Sequence, residues 1–382
     1  MDSELHAYAS VRFSEGRLAR PEGGAWTDEP HVVVWREYAR QAQARGVWPV
    51  LSERLPQLWF PIQTGVSQTT AYRAATRQGA AVRGTDGATG LALRRPDELR
   101  LLIHPTVAGS IPVLIAADRA DFVALVQAFT RQNEPEFVPD SMGACLVSGY
   151  NNWDRIHAYR RQWAEAIADG RADVEWPAEW KRLQSQKHIY QDRFIILSDG
   201  PYSGVPAAVM GLSETEWNHL SLVIRLEHEC AHYFTKRVFG VIRHHVYDEI
   251  LADYAGLVAA EGHFRADRFL LFMGLEAFPA YRQGGRLQNY RGPLSDEAFV
   301  ALQSLVRAAA VNLARFDEEC GRRLHREGQK ALVWSAIASL TLAELASEEA
   351  MGLLGQALEG KELRELKELT LVPSVPVVPI GS

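Results

Sequence analysis

The pentapeptide His228-Glu229-Cys230-Ala231-His232 sets two imidazoles four residues apart, with a carboxylate beside the first. On a helix turning about 100° per residue the two histidines lie about 40° apart on one face, so both can grip a single metal ion. Glu229 lies about 60° from His232, within reach of a water molecule held at that metal without being a ligand itself. Two histidines for zinc and a glutamate for proton transfer are the working parts of metal-assisted hydrolysis. Cys230, about 200° from His228, faces away and adds no thiolate to the set.

A second constellation follows. Glu249-Ile250-Leu251-Ala252-Asp253 begins 17 residues after His232 and places two carboxylates four residues apart, on one face of a second helix. Catalytic zinc commonly takes three protein ligands and leaves a fourth position for water. Glu249 is the expected third ligand, and Asp253 the expected acceptor for the free ring N–H of a ligand histidine. Asp253 itself, Asp248 and the His244-His245 pair compete for the third position. Hydrolysis also needs a donor for the developing oxyanion. His244, His245, Tyr247, His263 and Tyr233 are candidates, and the sequence does not choose among them.

H-E-x-x-H followed by E-x-x-x-D resembles the gluzincin clan of zinc metallopeptidases, the group that includes thermolysin-like enzymes. The resemblance rests on His228, Glu229, His232, Glu249 and Asp253, within a stretch of about 30 residues. The metzincin pattern does not fit, because Thr235 and Val238 stand where it requires glycine and histidine. The resemblance implies an active-site helix beside an antiparallel edge strand that binds substrate backbone. Phe194 to Leu197 is one candidate for that strand and Ala144 to Val147 another.

The elements that must position these residues are legible in part. Ser213-Glu214-Thr215-Glu216 is a capping box that starts the helix of the histidines, and Gly240 ends it. A second helix is predicted from about Asp248 to Glu261, stopped at Gly262. Further helices are expected over 266–276, 295–324, 330–345 and 348–369. Upstream, 32–45 and 118–132 read as helices, and 99–103 and 111–116 as strands joined near Gly109-Ser110. Gly84 to Gly90 reads as a loop. Two polar segments, Ser148 to Asp154 and Tyr281 to Arg291, read as surface loops, the second with arginines able to clamp a carboxylate.

The chain has 382 residues, 47% hydrophobic and 23% charged, with a formal net charge of −6, an ordinary balance for a soluble globular protein. An acidic balance without a basic tract gives no nucleic-acid footprint. Cys145, Cys230 and Cys320 are odd in number and widely spaced, which fits a reducing compartment better than a disulfide scaffold. The first residues lack a signal-peptide pattern, and the longest apolar candidate for a membrane span, Trp334 to Ala346, is interrupted by polar residues.

The expected fold is therefore α+β. A mixed region over 1–190 with a small sheet precedes a mostly helical metallohydrolase region over 191–370, and a Pro-rich extended tail fills 371–382. The expected protein is a cytoplasmic zinc metallopeptidase. It holds one Zn²⁺ per chain on His228, His232 and Glu249, uses Glu229 as general base, and acts on a peptide or protein with no nucleic-acid or membrane partner. Zinc-dependent hydrolysis of a non-peptide amide or small molecule is the alternative. A zincin-fold binding or regulatory protein without activity is a third reading, against which the intact Glu229 argues.

Overall fold

Ile111 to Ala116 is apolar at every position, the pattern of a strand covered on both faces. In the structure, a computed structural model that describes residues 3–13, 26–169, 175–240, 245–326 and 329–360, all six of these residues are buried. They form β2 (Ile111–Ala116) of a four-stranded mixed sheet with β1 (Arg100–His104), β3 (Ala144–Asn151) and β4 (Gln191–Ser198), in the order β1-β2-β4-β3. β1 runs antiparallel to β2, β2 parallel to β4, and β4 antiparallel to β3. The fold is α+β, as the sequence pattern predicts.

The chain divides into two units. One comprises 28–104 and 109–200 and holds the sheet; the other comprises 1–27, 105–108 and 201–382. The break after Gly200 replaces the expected one at 190. The physical reason is β4, whose backbone is bonded to both β2 and β3, so that 191–198 cannot be separated from the sheet. The predicted helical region also gains 1–27. The tail expected over 371–382 lies outside the described residues.

In the sheet unit, α1 (Pro30–Arg45) supplies Trp35 and Tyr38, and α2 (Arg119–Thr130) supplies Phe122, Leu125 and Val126, to a core shared with Leu114, Phe194 and Ile196. Buried in the same unit, Asp192 accepts hydrogen bonds from Trp35 Nε1 at 2.8 Å, Asn152 Nδ2 at 2.7 Å and Arg155 Nη1 at 2.5 Å. A buried carboxylate needs such partners to stay charged out of water. The segment Ser148 to Asp154 is not a loop. β3 runs through it with a bulge at Gly149, and Asn152 then caps α3 (Trp153–Ala168) by accepting from the backbone of Asp154 and Arg155.

Among the described residues the second unit contains helices and no strand. Its centre is a helical hairpin, α4 (Glu214–Phe239) and α5 (Val246–Glu261). Ser213 and Glu216 form the predicted capping box, and Gly240 and Gly262 close the two helices in the left-handed conformation. α5 starts two residues earlier than the pattern suggests because His245 caps it. The helix expected over 330–345 is two, Lys330–Ser339 and Leu342–Leu345, since Thr341 and Glu344 form a fresh capping box. α6 (Asp296–Phe316) continues through a π turn into Arg322–Arg326. By length and composition this continuous helix is long and apolar enough to cross a membrane; its residues Leu302, Val306, Ala309, Ala310 and Leu313 are buried.

Candidate metal centre

The hairpin register builds the site. Running antiparallel, α4 and α5 bring His232 level with Glu249, His228 level with Asp253, and Ile224 level with Gly256. Glycine at 256 is what lets the helices meet. A Cβ there would lie 2.7 Å from the Ile224 carbonyl oxygen and 3.2 Å from its Cα, and backbone cannot swing aside.

Three donor atoms converge at this contact. His228 Nε2 and His232 Nε2 are 3.1 Å apart; Glu249 Oε2 lies 3.4 Å from His228 Nε2, and the other carboxylate oxygen, Oε1, lies 3.6 Å from His232 Nε2. Tetrahedral donors at about 2.0–2.1 Å from zinc stand roughly 3.3–3.4 Å from one another, so the separations within this triangle of side chains are of the size a zinc coordination face needs. Among the described residues these three are the histidine, cysteine, aspartate and glutamate side chains whose ligand atoms cluster in this way. Asp248, Asp253 and His245, the rivals for the third position, are not part of the triangle. The charge also suits a cation. Two buried carboxyl side chains, Glu249 and Asp253, share one buried guanidinium, Arg286, so acidic groups outnumber the arginine set against them.

Asp253 is fully buried and sits where the sequence places it. Its Oδ1 accepts from His228 Nδ1 at 2.9 Å, which leaves the Nε2 lone pair directed to the triangle. Burial alone would pull the His228 imidazole down, but the Asp253 hydrogen bond and the charges of Glu249 and Asp253 outweigh it and the shift is upward. Burial and then the charge of His228 push His232 down to about 4, so that ring is presented neutral, the form a metal binds. Burial would raise the Asp253 carboxyl; Arg286, His228 and Tyr202 together hold it below the ordinary aspartate value. Glu229 lies on α4 at 8% exposure, beside the triangle in sequence and buried with it.

Two residues bordering Asp253 were not singled out by sequence reasoning. Tyr202 donates its hydroxyl to Asp253 Oδ1 at 2.6 Å and stands 3.0 Å from His228 Nδ1. It belongs to a short turn, Tyr202–Gly204, in which Ser203 takes a left-handed φ of 52°. Arg286 bonds Asp253 Oδ2, and through Nη1 also reaches Tyr202 Oη at 2.8 Å and Ser203 Oγ at 3.0 Å. Arg286 falls inside the segment Tyr281–Arg291, which the sequence presents as a polar surface loop with arginines able to clamp a carboxylate. The carboxylate Arg286 clamps is the protein's own.

The structure describes four of the five candidate oxyanion donors. His245 is the α5 cap: its Nδ1 accepts from the Tyr247 amide at 3.1 Å, its Nε2 meets the Tyr8 carbonyl at 3.2 Å, and its ring stacks on Tyr8. Tyr247 donates to the Ile337 carbonyl at 2.6 Å. His263 lies beyond the far end of α5, bonded to the Glu261 carbonyl. Tyr233 is fully buried, with the Arg237 guanidinium 5.8 Å from its ring. His244 lies outside the described residues. Of the two candidate substrate strands, 194–197 is excluded because β4 is paired on both sides; 144–147, in β3, is a sheet edge.

Fold and site together define an α+β protein whose helical unit carries a buried His-His-Glu cluster on an antiparallel helix pair. Residues 1–349 match the family model described as a family of unknown function, DUF7005, and the chain belongs to that family. No curated protein and no solved structure matches it.

Proposed function

We propose that this chain is a zinc-dependent metallopeptidase of gluzincin type, with His228, His232 and Glu249 holding one Zn²⁺. The observation that carries the reading is the convergence of the two imidazole Nε2 atoms, 3.1 Å apart, with the Glu249 carboxylate, whose two oxygens lie 3.4 and 3.6 Å from them, and with Glu229 next to His228 on the same helix. Bound zinc supplies a Lewis acid for the scissile carbonyl and draws the pKa of water toward neutrality. Glu229 accepts the proton of the attacking water and hands it to the leaving amine. Asp253 holds His228 in the tautomer that offers Nε2. A glutamate between two ligand histidines has little structural use, and structural zinc prefers closed, Cys-rich shells, which favours catalysis over a purely structural ion.

One observation favours a second reading, hydrolysis of a small non-peptide amide. The unit that carries the triangle has no strand among its described residues, so it offers no edge of its own for pairing with a peptide backbone.

The test is metal content of the wild type, Glu229→Gln and His232→Ala, alongside cleavage of a diverse peptide library. One zinc per chain in the wild type, retained in Glu229→Gln and lost in His232→Ala, with cleavage by the wild type only, supports the peptidase. Zinc bound in the same pattern with cleavage confined to small amides moves the assignment to the second reading. A wild type that takes up no zinc after metal is supplied overturns both.

A further inference from the structure

The segment Arg286-Leu287-Gln288-Asn289-Tyr290 forms one short 3₁₀ element, and its two ends meet two of the acidic residues of α5, Asp253 and Glu249. Arg286 bonds Asp253 Oδ2 and stands 3.9 Å from Glu249 Oε2, while the Tyr290 hydroxyl hydrogen-bonds the Glu249 side chain. The four-residue spacing of Arg286 and Tyr290 thus answers the four-residue spacing of Glu249 and Asp253. Tyr202 completes the set by joining Asp253, His228 and Arg286 through one hydroxyl.

We infer that Arg286, Tyr290 and Tyr202 are positioning residues that hold the metal donors at binding distance before the ion arrives. The inference rests on the metal reading given above and adds to it the source of its preorganisation. A free glutamate side chain has several rotamers, and fixing it costs side-chain entropy. Where Tyr290 and Arg286 have already fixed Glu249 and Asp253, that cost is met in folding and does not weaken metal binding. Partners that orient ligands in this way typically change metal affinity by about 10–100-fold when removed.

The seat of the clamp is itself built for close approach. A Cβ at Gly285, the residue before Arg286, would stand 2.6 Å from Gly274 Cα and 2.6 Å from the Met273 carbonyl oxygen. Two glycines touching backbone to backbone place the 3₁₀ element at one height along α5. Tyr281 reinforces this, donating its hydroxyl to the Gly285 carbonyl at 2.6 Å and accepting from the Gln288 amide at 3.0 Å. Tyr8 adds a hydrogen bond to the Tyr290 carbonyl at 2.7 Å.

The experiment is a zinc dissociation constant by chelator competition on the full chain, for the wild type, Tyr290→Phe, Arg286→Lys and Arg286→Gln. Arg282→Lys, an exposed arginine of the same loop paired with Glu276, is the control. Urea unfolding midpoints accompany each, and the visible spectrum of the Co²⁺-loaded protein reports the coordination geometry. The expected result is a zinc affinity about 10-fold weaker in Tyr290→Phe and up to about 100-fold weaker in Arg286→Gln, with Arg286→Lys between them and the control unchanged. The Co²⁺ spectrum shifts in Tyr290→Phe while its unfolding midpoint does not. Wild-type affinity and spectrum in both Tyr290→Phe and Arg286→Gln overturn the clamp while leaving the metal site standing. A wild type that binds neither ion overturns the metal reading and the clamp with it.

Discussion

Gly256 faces the backbone carbonyl of Ile224 at a distance no larger residue can share: an added Cβ would lie 2.7 Å from that oxygen. The contact lies one turn along the hairpin from the His228–Asp253 pair and two from the Glu249–His232 pair, so it sets the separation of the two helices that carry the candidate metal donors.

Gly256→Ala tests that relationship. Alanine at a helix interior is worth about 1 kcal/mol over glycine by intrinsic propensity. Forcing a methyl against a fixed backbone carbonyl costs about 1–3 kcal/mol. The second effect wins because the obstacle is main chain, so the expected outcome is a lower urea midpoint together with weaker zinc binding. Unchanged zinc affinity with raised stability would show that the helices do not meet there.

Asp253→Asn separates charge from shape. The amide can still accept from His228 Nδ1, but Arg286 loses its buried counter-ion, and removing one partner of a buried pair costs about 3–5 kcal/mol. Zinc affinity should fall by about 10–100-fold while saturating zinc still fills one site per chain. In the double variant Asp253→Asn, Arg286→Met both charges of the Asp253–Arg286 pair are gone, so the stability loss should be smaller than the two single losses added together. Additive losses would mean that the two side chains do not interact.

The site was legible where its contacts are local and illegible where they are not. His228 with His232, and Glu249 with Asp253, are same-face neighbours within one helix, so spacing alone reveals each pair. That the two pairs face each other follows once both are placed on consecutive helices joined by a short turn. Arg286 and Tyr202 arrive from 33 residues after Asp253 and 26 before His228, and no periodicity links them to it. Only the presence of arginine and tyrosine in the Tyr281–Arg291 loop hinted at a role. The candidate oxyanion donors show the same limit. His245, Tyr247 and His263 were weighed because they are near the motifs in sequence, yet a helix directs neighbouring side chains to different faces.

The fold shows a parallel division. β2 is an unbroken apolar run and reads as a doubly covered strand, and the capping boxes and closing glycines mark α4 and α5. The pairing of β4 with both β2 and β3 is invisible in β4's own residues, and so the unit boundary at Gly200 was placed ten residues early.

Asp192 should matter more to stability than to any chemistry. It lies in the sheet unit with no exposed surface, and Arg155, at 7% side-chain exposure, pairs with it. Asp192→Ala leaves a buried guanidinium without its carboxylate, strips Trp35 Nε1 of its acceptor and leaves Asn152 Nδ2 only the more distant Tyr38 hydroxyl. The expected loss is about 3–5 kcal/mol by urea unfolding. A loss under about 1 kcal/mol would imply that water replaces the carboxylate and that the cluster is open to solvent.

His31 predicts how the sheet unit responds to acid. The ring is 2% exposed, and among the described residues its Nε2 has no hydrogen-bond partner. Burial holds its pKa below the ordinary histidine value, with Asp192 and Glu29 opposing only in part. The sign follows directly. The folded state keeps the ring neutral, whereas the unfolded chain takes up a proton near pH 6.5, so below that pH the unfolded state binds more protons and is favoured. The contribution of a neutral His31 is complete above about pH 6.5 and is lost as pH falls from there toward the lowered folded-state value. Urea unfolding of the wild type and His31→Gln between pH 7.5 and 5 should give curves that differ in slope, the variant being less sensitive to acid. Parallel curves across that range would mean that His31 titrates alike in both states, and that its burial in the fold is not maintained in solution.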